Sequence, residues 1–374
     1  MFFRRAVVLF AALGLSAGVV AAQGLAITSG AGYAPVVSPD SIAALFGDDL
    51  AADAVEATLD DQGLLPTELG GVTVAIDGRP AELLFVSPRQ VNLIVPGQVG
   101  TGGHEAVVTF ARGVIRGLVE VRDVSPALFS LDASGGGPGA ILNAVTSRLS
   151  PFAVVTPEIG GSDQRTRLAL FGTGVRRAES VEAVAVDSSG DAISLDVEFA
   201  GPAPVFFGLD QVNVVLDTEL DGGGLTSFQI SADGQESNVV TAEIESLDEA
   251  DRPSIPQPPA RTITASPVVF ATCSAIPGQP DAPCLAYPFE HEWEPSISPH
   301  GIAAYELRTA LGQSVTVSGE ETTFTEWRVQ LHDVECSPEP STQVFPWSMR
   351  AVDGRGIRSL ESRFGVIEIG PCPD

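Results

Sequence analysis

The sequence predicts an all-β fold, three immunoglobulin-like β-sandwich domains in tandem, on three observations. One strand-like stretch occurs twice, short Val-rich runs alternate with a period of two, and 39 glycines and 28 prolines punctuate them throughout. LLFVSPRQVNLIVP at 83–96 returns as PVFFGLDQVNVVLD at 204–217, with Gln90 and Gln211 in the same place 121 positions apart. Upstream of each lie IAALFGDDL at 42–50 and LALFGTGV at 168–175, with Phe46 and Phe171 125 positions apart. Two markers in one order at nearly one offset indicate a duplicated unit of roughly 120 residues.

Within the repeat, Val91, Leu93 and Val95 share one face, and Val212, Val214 and Leu216 do the same in the second copy. That face suits a sheet packed on a core. Gln90 with Asn92, and Gln211 with Asn213, recur in phase on the opposite face. Such an amide pair can contact a ligand. It can equally satisfy backbone groups at a strand crossing or loop, and this reading is favoured because both copies would otherwise need the same ligand.

In chain order, residues 1–22 read as a secretory signal: Arg4 and Arg5, an apolar run, then Val20-Ala21-Ala22 as the small-residue cleavage site. No cysteine follows the cut, and no later apolar run is long enough to span a membrane. The first sandwich occupies 23–130. IAALFG is its early strand, and the acidic, Ala-rich stretch 48–68 reads as a short helix or loop. VTVAI (72–76) and AELLFV (81–86) read as a hairpin across Asp77-Gly78, which tolerate the positive φ such turns need. The repeated strand, the turn GTGG (100–103) and the strands EAVVTFA and VIRGLVEVRDV complete it. About seven strands in roughly 100 residues is the immunoglobulin-like count.

SPALFSLDASGGGPGAILN (125–143) bridges into the second sandwich, 131–246, with strands near 166–171, 181–187, 192–199, 205–216, 225–231 and 236–244 and a turn at Asp233-Gly234. Residues 247–262 are a Pro-rich linker of extended character. The third sandwich, 263–374, carries YPFEHEWEP, GIAAYELRTA, TEWRVQL and FPWSMRAVDGRGIRSLESRFGVIEI, with Trp293, Tyr305 and Trp347 as core aromatics.

Charge narrows the function. With 48 acidic against 20 basic residues the formal net charge is −28, and such a field repels nucleic acid and anionic lipid. Motif by motif, little chemistry survives. GLSAG at 14–18 has nucleophile-elbow spacing but lies in the signal. GGGPGA at 135–140 lacks the helix that a dinucleotide site requires. DTELDG at 217–222 lacks the carboxylate at the twelfth position of a calcium loop and reads as a hairpin turn. His104, His291, His300 and His332 have no metal spacing. Aromatic platforms for glycans look scarce, with three Trp and three Tyr, most at core-like positions. No catalytic residue, metal ligand or cofactor is nominated.

All four cysteines, Cys273, Cys284, Cys336 and Cys372, fall in the last quarter, and an exported chain with an even number implies disulfides. Strands at about 344–352 and 359–369 flank the turn Asp353-Gly354-Arg355-Gly356, so Cys336 and Cys372 leave the same end of a hairpin. Cys273 and Cys284 flank a turn-rich loop. The pairing expected is Cys273–Cys284 and Cys336–Cys372.

The order FGDDL, LGGVTVAIDGRPAELLFVSPRQVNLIVP, VVTF, VSPALFSLD, GPGAILN, LALFGTG, DQVNVVL and SNVVTAEI resembles the Solibacter uncharacterised C-terminal domain family over residues about 30–245. The resemblance implies tandem immunoglobulin-like sandwiches of the plexin and transcription-factor type in exported proteins, with no established activity. Two departures stand out: PEIGGSDQRTR replaces the family's approach to the LFGTG strand, and a further domain follows. Residues 263–374 resemble a fibronectin type III domain, with Trp293 at the strand-B tryptophan and WSMRAVDGRGIRSLES at the F–G hairpin. Trp347 stands at the usual F-strand tyrosine, so a tyrosine-corner hydroxyl is missing there. Together these readings imply an exported, non-enzymatic interaction, adhesion or structural module. It would be secreted, at the cell surface or in the periplasm, with a protein or glycan partner there. The alternative is a glycan-binding accessory protein or carbohydrate-active enzyme with a loop-borne site.

Overall fold

A computed structural model describes residues 25–161, 163–204, 206–248, 252, 262–264, 268–270, 284–293, 295–298, 300–308, 314–321, 323–331 and 341–369. The expected signal at 1–22, most of the Pro-rich linker, the side chain of Trp347 and all four cysteine side chains lie outside that description. The chain is all-β and divides into two compact units, Met1–Ile159 with Arg165–Ser246, and Gly160–Gln164 with Leu247–Asp374.

The first unit holds both copies of the repeat. In the first copy one sheet runs Ala26–Ser29, Ile42–Phe46, Gln90–Ile94, Glu82–Val86 and Val55–Glu56. The other runs Val36–Val37, Gly113–Val121, Gly102–Phe110, Val72–Ile76 and Glu68–Leu69. The alternation read from sequence places Val72, Val74, Ile76, Leu83, Val91, Leu93, Val108 and Val121 in one core between the sheets. Each side chain so buried is worth about 1.5–3 kcal/mol.

One reading is corrected here. Residues 72–76 and 81–86 do not form one hairpin. The turn at Asp77 (φ 52°) and Gly78 (φ 69°) is present, but only Arg79–Pro80 pair back on Val72–Ile76. Ala81, fully buried, donates its N–H to Val74 O at 2.8 Å and the chain then crosses to the opposite sheet. Apolar residues on both sides of that crossing conceal it in the sequence. The stretch 48–68, read as a short helix or loop, is a loop, extended and carrying the short strand Val55–Glu56. Asp60 holds its tip, accepting from Gln62 N (2.8 Å) and Leu64 N (2.9 Å).

The second copy repeats the pairing residue for residue. Phe46 faces Gln90 and Ala44 faces Asn92; Phe171 faces Gln211 and Ala169 faces Asn213. The irregularity between Leu83 and Phe85 opposite Leu93 and Asn92 recurs between Val197 and Phe199 opposite Val214 and Asn213. A β-bulge kept at one place in both copies is a built feature of the repeat. The sheet crossing also recurs without a break, because Ala192–Pro202 pairs first with Val181–Val186 and then with Asp210–Val215.

Each copy also ties its beginning to its end in parallel. Val36–Val37 lie parallel to Glu120–Val121, and Arg122 N donates to Val37 O at 2.9 Å. In the second copy Pro138 bridges Thr241 and Phe152 bridges Ile244, both parallel.

In the second unit Cys284–Glu292 pairs with Thr262–Thr264 and Val268–Phe270 on one side and Thr323–Leu331 on the other. A second sheet runs Ser314–Ser318, Ile302–Arg308, Ser341–Asp353 and Ser362–Ile369. Trp293 and Tyr305 are buried in its core, ring centroids 5.2 Å apart at 68°. The tyrosine hydroxyl missing at position 347 has a counterpart here, since Tyr305 Oη accepts from Ser296 N at 2.8 Å. Asp353, buried at the hairpin turn, accepts from Arg355 N (2.9 Å), Ile357 N (3.0 Å) and both Nε (3.0 Å) and Nη2 (2.9 Å) of Arg355. The hairpin that would bring Cys336 and Cys372 to one end is present, Ser341 pairing with Ile369, and the cysteine pairing itself lies outside the described residues.

Because the first unit closes its own cores, limited proteolysis of the mature chain is expected to cut first within 246–262 and release a resistant fragment of residues 23–246. A first cut inside 83–96 would contradict this.

Candidate functional site

The four repeat amides sit on the outer faces of equivalent sheets. In both copies they bond one another along the strand: Gln90 Nε2 donates to Asn92 Oδ1 at 2.8 Å, and Gln211 Nε2 donates to Asn213 Oδ1 at 2.6 Å. Spacing of two residues puts both side chains on one face, and the shared bond orders them into a short amide ladder.

Their neighbours match as well. Asn92 lies between Ala44 and Phe85, and Asn213 between Ala169 and Phe199. Gln211 lies between Phe171 and Gly201. The two copies differ in cover. Asn92 is 2% exposed, Phe85 7%, and Gln90 9%, whereas Phe199 is 42% exposed and Gln211, Asn213 and Phe171 are half-buried.

Loop length is the cause. After Gly47 the first copy carries the long loop described above. That loop lays Ala57 and Leu65 against Ile42, Ile94, Leu84 and Phe129 in a small second core on this outer face. Tyr33 adds cover, its ring 6.2 Å from that of Phe46. The corresponding connection in the second copy is only Gly174–Ser180. Among the described residues no such loop covers its face, which carries the exposed Phe199 ring, two half-buried amides and, at one rim, Arg167 Nη2 paired with Glu198 Oε1 at 3.0 Å. Counting Trp and Tyr as platforms misses Phe171 and Phe199. Comparing the two loop lengths would have found them.

The seam between the copies is tightly built. Thr173 Oγ1 accepts from Ile42 N (2.8 Å) and donates to Gly208 O (2.7 Å). Arg177 Nη2 reaches Asp40 Oδ2 (2.7 Å) and Gly97 O (2.6 Å). Tyr33 Oη donates to Ala133 O at 2.8 Å. Beside the seam lies a shallow cleft of about 150 Å³, lined by Gly32, Ala34, Arg122, Ser125, Gln235 and Asn238 among others. Arg122 is turned there onto Gln235 Oε1 at 2.9 Å, so the cleft presents little beyond backbone and one engaged guanidinium.

Asp210 is fully buried in the second copy. Burial pushes its carboxyl above the usual aspartate range against the pull of the Val175 N–H and the Arg176 charge. Both oxygens are occupied: Oδ2 accepts from Val175 N (2.7 Å) and Arg176 N (3.2 Å), and Oδ1 from Arg176 Nε (2.8 Å). This is a structural carboxylate that fixes the turn after the strand Arg167–Thr173.

Elsewhere, among the described residues no group of three or more His, Cys, Asp or Glu is placed to hold a metal ion. Asp217 of DTELDG caps the 3₁₀ turn Thr218–Leu220 through Glu219 N, which corrects the hairpin-turn reading. His104 Nε2 stands 2.8 Å from Gly100 O. Among the described residues no helix is long and apolar enough to cross a membrane.

No family model matches the chain, and no curated protein matches it. Among solved structures, bovine butyrophilin is 10% identical, over 56% of this chain and 93% of that one, at a TM-score of 0.18. The full extracellular region of plexin A4 is 10% identical over 87% of this chain and 25% of its own, at 0.20. An auxiliary nutrient binding protein from Bacteroides ovatus is 10% identical over 93% and 99%, at 0.18. The all-β architecture rests on this chain's own strand pairing.

Proposed function

We propose that the protein is an exported, non-enzymatic interaction module, a stiff β-sandwich scaffold that engages a surface or extracellular partner through the open outer face of its second repeat. One observation carries this reading. A face with the same central Phe, Ala, Gln and Asn residues is sealed by the chain itself in the first copy, and among the described residues is uncovered in the second, with an exposed phenyl ring and two amides at its centre. Aromatic rings are enriched among the residues that carry binding energy, and here the ring that the first copy covers is exposed beside ordered amides. The displaced acid Asp210 has a structural duty that accounts for it, which supports the non-enzymatic reading. The signal-like start and the resemblance to exported tandem sandwiches support the extracellular setting.

The test is binding of the mature chain, residues 23–374, to intact cells and extracellular matrix of the source organism. Saturable binding that weakens in Phe199→Ala is expected. Binding that never saturates, or that ignores Phe199→Ala, would refute the assignment of the face.

A further inference from the structure

We infer that the open face of the second repeat is a binding site for neutral saccharides, with Phe199 as the stacking surface and the Gln211–Asn213 ladder as the hydrogen-bonding rail. The inference rests on the interaction-module reading above and gives that site its ligand class.

The layout of the face is the first argument. Phe171, Gln211 and Gly201 form one cross-strand row, and Ala169, Asn213 and Phe199 form the next. Directly opposed residues stand about 4.5–5.5 Å apart, and residues two apart along a strand about 6.5–7 Å. The two rows therefore frame a patch close to the size of a pyranose ring. The Phe199 ring lies over Gly201, so it flanks Gln211 as well as Asn213, and Phe171 stands on the far side of Gln211.

The second argument is chemical. A sugar offers an apolar C–H face and a rim of hydroxyls that both donate and accept. A phenyl ring suits the first. A side-chain amide, with two donors and an acceptor, suits the second. The bond within the ladder uses Gln211 Nε2 and Asn213 Oδ1. Gln211 Oε1 remains as an acceptor and Asn213 Nδ2 as a donor, the complementary pair that adjacent hydroxyls require.

Charge and polarity narrow the ligand further. The chain carries a net charge of −28. The arginines nearest the face are already engaged, Arg167 on Glu198 at 3.0 Å and Arg165 on Asp196 at 3.5 Å. Acidic glycans and phosphates would meet a repulsive field, and a neutral saccharide meets no such penalty. A second copy of this chain fits less well, since the middle of a protein interface is apolar and here two amides occupy it. The first copy shows the alternative state of the same pattern, filled by the chain's own loop.

The experiment is titration of the mature chain against hexasaccharides of β-1,4-glucan, β-1,3-glucan, xylan and mannan, on an array and then by calorimetry, with sedimentation run in parallel. Saturable binding to at least one is expected, weakened tenfold or more by Phe199→Ala and by Gln211→Ala, and unchanged by Leu118→Ala on a remote exposed strand. Should Phe199→Ala lower the melting temperature, Phe199→Leu keeps the apolar volume without the ring face and is expected to weaken binding equally. Absence of binding to every neutral saccharide, preference for acidic glycans, or a dimer that Phe199→Ala dissolves would each overturn the inference. If cells still bind the protein through a target that protease removes and periodate spares, the ligand class fails and the interaction reading stands. If cells are not bound either, both fail.

Discussion

Asp210→Ala is expected to destabilise the first unit by about 3–5 kcal/mol, the usual consequence of removing one partner from a buried ion pair. The substitution strands three donors together: the N–H groups of Val175 and Arg176 and the Arg176 Nε, all now held between 2.7 and 3.2 Å from the carboxylate. Denaturant unfolding of residues 23–246 would measure it. A loss below about 1 kcal/mol, the net worth of one ordinary hydrogen bond, would show the carboxylate to be dispensable. Asp210→Asn keeps the acceptor and should cost much less than alanine. Its pH dependence has a defined sign. Asp210 is held above its unfolded value, about 3.9, because burial disfavours the charged form. The burial penalty is therefore absent below the unfolded value and grows as pH rises through the folded one. The asparagine variant lacks this dependence, so it should compare best with wild type near neutrality and fall behind toward acid.

Gly174→Ala is expected to cost about 2–4 kcal/mol, the sum of two independent penalties. Gly174 has φ +82°, where an L side chain costs about 1 kcal/mol. A Cβ built there also lands on the carbonyl oxygen of Ser125, well inside contact distance. Backbone cannot swing away as a flexible side chain can, and overpacking of this kind costs about 1–3 kcal/mol. Ser125 N also donates to Gly174 O at 3.1 Å, so the displaced strand would lose a seam hydrogen bond. Gly190→Ala separates the two penalties, because Gly190 has φ +91° and open space around it. It should lose only the conformational part. Equal losses in the two variants by thermal unfolding would show that the Ser125 contact relaxes freely.

The repeat was legible because strand registers leave a period-two signature, and the QVN segments carry it in phase. Most strands of the first unit fall where the alternation puts them. The crossing at Ala81 was not legible, since one buried alanine redirects a chain whose apolar residues look alike on either side. Asp210 escaped notice because an Asp ahead of a strand looks like any solvated turn carboxylate. Its counterpart in the first copy is the exposed Arg89, so the repeat itself gave no hint. The open face was hidden for a further reason. Its central Phe, Ala, Gln and Asn residues are the same in both copies, and what most distinguishes their cover is a loop present between Gly47 and Val72 and nearly absent between Thr173 and Val181. The difference in cover is written in a loop length remote from the amides it exposes.

The parallel ties that join the start of each copy to its end have a mechanical meaning. Tension along the chain would draw Val36–Val37 one way and Glu120–Val121 the other. It would do the same to the bridges from Pro138 and Phe152 to Thr241 and Ile244. Strands paired in parallel and pulled from opposite ends slide, so their hydrogen bonds are loaded together in shear. Strands peeled from one end give way one bond at a time. Two such shear clasps in series would resist extension of the first unit more than its antiparallel edges.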